Sequence, residues 1–309
     1  MAKTTGLGII EISTVFDNIR PDIVVTIADR FETIATAISA SYMNIPLAHI
    51  QGGEVTGNID EKVRHAITKL SDYHFVSSAD AFDRLIKMGE DQNFVFNTGC
   101  PSIDLAKTVK SNPELDFVPF DKYEGVGSYF DYSSGYWVVM QHPVTTEPNE
   151  SRKNIEETLY AMYDLKEPVF WFWPNLDGGS DGTSNGIRAF REKYHLDYFH
   201  FFKNMESIDF LKLLINSKGI VGNSSVGIRE CSYLGVPCVN IGNRQNRRLR
   251  SNNVIDTQYD QSKIKNALNE ISKNRYSKSN NIYGNGESGI KIADILSKVP
   301  LKIDKQILY

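Results

Sequence analysis

The chain of 309 residues carries 41% hydrophobic and 11% aromatic residues, enough for two ordinary cores, and a chain this long tends to split into two domains. Its 34 Lys+Arg against 38 Asp+Glu leave a net charge of -4, which excludes a general basic field for nucleic acid or an anionic membrane; an anionic ligand must be held by a local site. Cys100, Cys231 and Cys238 are an odd set without metal-like pairing, the N-terminus has no apolar signal core, and no run reaches the roughly 18 apolar residues of a membrane span, so a soluble protein of the reducing cytoplasm is expected.

In chain order, Asp22 to Ala28, Pro46 to Ile50, Tyr73 to Ser77 and Phe94 to Thr98 read as short strands, with helices predicted over Arg30 to Met43, Ile59 to Ser71 and Ser78 to Met88. Strands alternating with helices imply right-handed crossovers and a parallel sheet. Asn112 to Gly135, with its Pro, Gly, Asp and Ser, reads as a linker or surface excursion. A second series follows: strands at Trp137 to Gln141, Val169 to Trp173, Tyr198 to Phe202, Gly219 to Val221 and Pro237 to Ile241. Helices are expected at Glu150 to Asp164, Thr183 to Lys193, Ser207 to Asn216 and Ser225 to Leu234. Ser272 to Asn285 reads as a polar loop before a last helix, Ser288 to Lys298. The expected fold class is α/β, with two Rossmann-like domains whose parallel sheets face a cleft and ligand sites at the carboxyl ends of the strands. The divisions are 1–110 for the first domain, 111–135 for the excursion, 136–285 for the second domain and 286–309 for a C-terminal helix packing back toward the first.

The densest chemistry lies in His49-Ile50-Gln51-Gly52-Gly53-Glu54-Val55-Thr56-Gly57 and the following Ile59 to Ser71. A glycine turn, carboxylates, an arginine and histidines sit directly after a strand and before a helix, where α/β enzymes keep their catalytic groups. Asp29 and Arg30 close the preceding strand; alone they read equally as a cap and a solvated charge. With Glu54, Asp60 and Arg64 entering beside them, a charged ligand becomes the better reading. His65 and His74 read as structural. In the second half, Gly222-Asn223-Ser224-Ser225 passes from strand to helix with two hydroxyls and free backbone N–H groups, a phosphate cradle or, more simply, an N-cap at Ser225. Glu230 could grip ribose hydroxyls or face solvent, and Arg244 follows the next strand. His142 and Asn175 end two further strands, where a structural cap and a ligand contact are equally good readings.

Together, HIQGGEVTGNIDEKVRHAITKL, RPDIVVTIADRFE, QHPVTTE, WPNLDGGS, VGNSSVGIRE and NIGNRQNRR resemble the hydrolysing UDP-N-acetylglucosamine 2-epimerases that begin sialic acid synthesis, from Met1 to about Leu296. The resemblance implies a GT-B type fold with UDP held mainly by the C-terminal domain. It implies UDP contacts at Arg30, His142, Asn175, Ser224, Ser225, Glu230 and Arg244, with uracil received by the backbone around Met205. Asp29 and Asp60 match positions implicated in catalysis, and Glu54 and His142 stand beside them as candidates. The implied reaction is anti elimination of UDP to a 2-acetamidoglucal followed by hydration, with no cofactor or metal, a UDP-sugar as partner, and a homodimer or homotetramer as the assembly.

Two departures accompany the resemblance. Many relatives carry Glu where this chain has Gln51, and an amide cannot act as a general base, so its role passes to Asp60, Glu54 or Asp29. Relatives also open with a β-strand and a diphosphate-contacting Gly-Thr-Arg turn, whereas Met1 to Gly8 falls where an early helix is expected, so the first domain is expected to be incomplete at its start. The alternatives are a GT-B glycosyltransferase using the same UDP cradle and a UDP-binding remnant without turnover.

Overall fold

A computed structural model describes residues 1–30, 32–56, 60–175, 179–273 and 278–308. The parts of the motifs at Gly57 to Ile59 and Leu176 to Gly178, and residues 274–277 of the expected polar loop, lie outside the described residues. The chain forms two compact units: Met1–Asp104 with Ile282–Tyr309, and Leu105–Asn281.

Unit 1 opens with helix α1 (Ala2–Ile19), then β1 (Val24–Ile27), α2 (Thr33–Tyr42), β2 (Leu47–Ile50), α3 (Asp60–Leu70), β3 (Tyr73–Val76), α4 (Ala79–Lys87) and β4 (Val95–Asn97). The strands form a four-stranded parallel sheet in the order β1-β2-β3-β4. Period-two alternation sends Val24 and Leu47 to one face with Ala37, Ala40 and Ile67, and Ala48, Ile50, Tyr73 and Phe75 to the other. The second face is covered by α12 (Ser288–Leu296), through Ile292, Ile295 and Leu296. β1 is an edge strand, and Val25 and Ile27 are exposed on it.

Helix α5 (Pro101–Ser111) leads into unit 2, opening on a proline whose missing N–H costs a first helical turn nothing. Residues 111–135, expected as an excursion, contribute α6 (Pro119–Tyr123) and the two-residue strand β5 (Val126–Gly127). Phe120 packs edge-on against Tyr129, Phe130 and Tyr132 and tilts onto Phe170, so aromatic burial holds this segment where its Gly and Ser content suggests a loop. The remaining elements are β6 (Trp137–Met140), α7 (Ser151–Leu165), β7 (Val169–Phe172), α8 (Ser180–Lys193), β8 (Phe199–Phe202), α9 (Ser207–Ile215), β9 (Gly219–Gly222), α10 (Glu230–Leu234), β10 (Cys238–Ile241), β11 (Val254–Thr257) and α11 (Gln261–Lys273). The sheet order is β11-β10-β9-β6-β7-β8-β5, parallel except for the antiparallel edge strand β5. Trp137, Val139, Trp171 and Val221 bury on one face with residues of α7, α8 and α11; Val138, Phe170, Phe172 and Ile220 bury on the other with α9 and α10.

The expected helix from Ser225 to Leu234 is broken into a 3-10 turn at Ser225–Gly227 and the short α10. Gly227 explains the break: a Cβ there would lie 2.5 Å from the Cys238 Sγ, so this turn is pressed against β10 as only glycine allows. All three cysteines are buried thiols outside any disulfide, and burial pushes the Cys238 thiol up to about 12. Among the described residues, no helix is long and apolar enough to cross a membrane.

Candidate active site

In a parallel sheet all carboxyl ends share one edge, and the polar residues singled out above gather at such edges. In unit 1, β1 and β2 are neighbours, so Asp29 after β1 lies beside the turn Gln51–Glu54 after β2. The chain leaves β1 through Ala28 at φ 66 and leaves β2 through Gln51 at φ 67, left-handed values that non-glycine residues adopt only when their surroundings impose them. His49 supplies part of that surrounding. Its Nε2 donates to the Ala28 carbonyl at 2.9 Å while Nδ1 accepts from the Thr68 hydroxyl at 3.3 Å. Burial holds this imidazole neutral, with its pKa lowered to about 3.

Arg64 organises the cluster. Its guanidinium is 1% exposed, pairs with the Asp29 carboxylate, donates to the Glu54 carbonyl at 2.8 Å and to the Glu61 carboxylate at 3.1 Å, and reaches the Thr56 hydroxyl at 3.3 Å. Glu61 in turn accepts from the Thr56 N–H at 2.6 Å and contacts His65 Nε2 at 3.0 Å. The sequence reading brought Arg64 in only as one charge among several. The signal for its central role is the i,i+3 spacing from Glu61 on a helix face. The Glu54 side chain is buried, and Asp60 occupies the first turn of α3, half-buried.

Gln51 is buried and its amide donates to the Cys100 Sγ at 3.0 Å, so it sits as a hydrogen-bonding group where a carboxylate would meet a thiol. Arg30, expected beside a diphosphate, is exposed and forks onto Glu32 at 3.0 and 3.2 Å. His74 is structural as expected, buried with its Nε2 2.9 Å from Glu90, while His65 binds Glu61 within the cluster itself.

In unit 2 the candidates follow five strands that are neighbours in the sheet: Arg244 after β10, Asn223 to Ser225 after β9, His142 after β6, Asn175 after β7 and Met205 after β8. Gly222, at φ 135, lets the end of β9 press onto the Met140 carbonyl of β6, a space that a Cβ would fill. The fully buried Asn223 then clasps β6. Its Oδ1 accepts from the His142 N–H at 2.7 Å and its Nδ2 donates to the His142 carbonyl at 2.8 Å. The Asn223 carbonyl accepts from Gln245 Nε2 at 2.9 Å and Arg244 Nη1 at 3.3 Å. His142 Nδ1 accepts from the Asn175 N–H at 3.2 Å, which places the proton of a neutral ring on Nε2, a donor.

Ser224, not Ser225, caps the 3-10 turn, accepting from the Val226 N–H. The Ser225 hydroxyl receives Arg229 Nη2 at 3.1 Å, and Arg229 Nε stands 4.0 Å from the buried Glu230 carboxylate. Met205 is buried in the apolar cluster beneath the sheet. Asn223, read from the sequence as part of the cradle turn, is instead buried beneath it and bonded to the His142 backbone. Among the described residues no group of three His, Cys, Asp or Glu could hold a metal ion.

The two edges differ in chemistry. Unit 1 gathers carboxylates around a buried cation; unit 2 lines up an imidazole N–H, hydroxyls, a guanidinium and a helical turn, groups suited to an anion with sugar hydroxyls.

The chain is similar in sequence and in fold to several known proteins. Residues 1–297 match the family model described as UDP-N-acetylglucosamine 2-epimerase. A Legionella pneumophila protein named UDP-N,N'-diacetylbacillosamine 2-epimerase (hydrolyzing) is 34% identical over 97% of this chain and 77% of its own length. A Neisseria meningitidis UDP-N-acetylglucosamine 2-epimerase is 33% identical over 87% of this chain and 68% of its own. A crystal structure of UDP-GlcNAc 2-epimerase from Neisseria meningitidis bound to UDP-GlcNAc superposes with a TM-score of 0.79 at 19% identity, covering 96% of this chain and 81% of that one, which bears out the α/β fold of GT-B type. A match to the family model across nearly the whole chain, with the fold that goes with it, makes this chain a member of the UDP-N-acetylglucosamine 2-epimerase family.

Proposed function

We propose that the chain is a hydrolysing 2-epimerase that converts a UDP-2-acetamido-2-deoxy sugar of the gluco series into UDP and the free sugar of the manno series, feeding nonulosonic acid synthesis. The single observation that supports it most is the row of five neighbouring strand ends in unit 2, three of them tied together by Asn223, with the proton of the neutral His142 ring on Nε2. His142, Ser224, Ser225 and Arg244 bind the diphosphate, Glu230 the ribose hydroxyls, and the backbone at Asn175 and Met205 the rest of the nucleotide.

The reaction then asks for two proton transfers. A carboxylate takes the C2 proton, the electron pair forms the C1=C2 bond, and the C1–O bond breaks with its electrons passing to the β-phosphate of UDP. Water then adds, its hydroxyl to C1 and a proton to C2 from the opposite face. Charge building on the leaving diphosphate is what cationic and N–H donors stabilise. Of the unit 1 carboxylates, Asp29 is paired with the buried Arg64, which holds its oxygens in place. Asp60, at the start of α3, is assigned the proton transfer, with the buried Glu54 as the second candidate.

Incubation with UDP-GlcNAc and with UDP-N,N'-diacetylbacillosamine in D2O tests this. The expected products are UDP and a manno-configured free sugar carrying one deuterium at C2. UDP release only when a sugar acceptor is added makes the protein a glycosyltransferase instead; UDP binding without release makes it a nucleotide-binding protein.

A further inference from the structure

Asn223 is fully buried, so it can touch no ligand, yet it bonds to several residues of the unit 2 edge that can. Its carboxamide spans both backbone groups of His142, at 2.7 and 2.8 Å, and its own carbonyl collects Arg244 and Gln245. Three strand ends, those of β6, β9 and β10, therefore meet at one side chain and its peptide. Resting on the reading of this edge as the nucleotide site, we propose that Asn223 is a positioning residue for the reaction. It sets the distance between the His142 imidazole and the Arg244 guanidinium, so that both meet one diphosphate.

The chemistry of the clasp is specific to a carboxamide. Only a group with one donor and one acceptor on the same carbon can satisfy an N–H and a C=O of one residue at once. An ionised Asp has the same size and still accepts from the His142 N–H, but it turns its second oxygen onto the His142 carbonyl, converting an attraction into a repulsion. Gly222 makes the clasp possible, since any Cβ there would fill the space in which β9 closes on Met140. Tyr259 closes the other side, with its hydroxyl 3.5 Å from Asn223 Nδ2.

The test compares Asn223→Asp with the wild-type protein by UDP calorimetry, after thermal melts show the variant folded. One lost hydrogen bond with a buried group left unsatisfied corresponds to about tenfold or more, so UDP affinity falls by at least that factor in N223D. In a background carrying His142→Ala and Arg244→Ala the same substitution changes affinity less than twofold, because Asn223 acts only through those two. N223D binding within twofold of wild type, or a full-sized effect in the double background, overturns the proposal while leaving the nucleotide reading intact. Absence of UDP binding by the wild type overturns both. Hydrogen exchange on the wild-type protein gives a reading that survives a variant's failure to fold: the His142 amide exchanges as slowly as those of β6, and exchange at loop rates overturns the clasp.

Discussion

Two edges built on the same plan, carboxyl ends of parallel strands, are held together by opposite means. In unit 1 the organiser is a charge: Arg64, buried among Asp29, Glu61 and the Glu54 carbonyl. In unit 2 it is a neutral amide, Asn223, which binds backbone rather than carboxylates. A charge can gather several carboxylates and hold them ready for proton transfer, at the cost of depending on their ionisation. An amide imposes distances that do not vary with pH. In the function proposed above, proton chemistry belongs to one edge and recognition of a fixed anion to the other, and each part of that contrast can be tested.

The largest expected effect is on turnover. Asp60→Asn removes a titratable group of unit 1 without changing its size, and loss of a general acid-base is worth on the order of 10²- to 10⁴-fold in rate. Steady-state kinetics should show that loss in kcat with UDP affinity near wild type; unchanged kcat per folded molecule leaves Asp60 as a helix cap. Next is stability. Arg64→Met leaves Asp29 and Glu61 without their cation, and breaking a buried pair costs about 3–5 kcal/mol, measurable as a shift of the urea midpoint. A shift under about 1 kcal/mol would mean that the cluster is solvated like a surface pair and that the contrast with unit 2 is false.

Acid should separate the two units. His49 is held neutral by burial, with a pKa of about 3 against an ordinary value near 6.5, so the unfolded chain binds the proton that the folded one refuses. Burial also works to raise the Glu90 carboxyl, but His74, Lys305 and Lys69 outweigh it and bring it to about 2. Both depressed values act in the same direction: the stability is complete above about pH 6.5 and falls as pH drops toward 3, by about 3 kcal/mol at pH 4 from His49 alone. Hydrogen exchange at pH 4.5 should show unit 1 losing protection before unit 2, and simultaneous loss removes the distinction. The smallest effect is Arg244→Ala, which deletes one charge-assisted contact and should weaken UDP about tenfold by calorimetry. Unchanged affinity would take Arg244 out of the site.

The sequence by itself determined most of the layering. Runs such as Val169 to Trp173 and Trp137 to Gln141 appear as Val169–Phe172 and Trp137–Met140, because a strand buried on both faces must be apolar throughout, and that pattern is visible without neighbours. The helices between them follow from amphipathic spacing. The candidate polar residues were legible for a related reason, since a charged or hydroxyl group directly after an apolar strand has only one edge to occupy. Tertiary structure decided what no local pattern encodes. Val126–Gly127 is too short to signal a strand and exists only because β8 offers it an edge. The helix after Ser224 breaks because Gly227 must fit against Cys238. Arg30 pairs with Glu32 while Arg64, thirty-five residues from Asp29 in sequence, becomes the cation that holds Asp29. Each of these turns on which partner is near in space. Apolar periodicity records how a segment meets a core, but it carries no address for the particular group waiting on the other side.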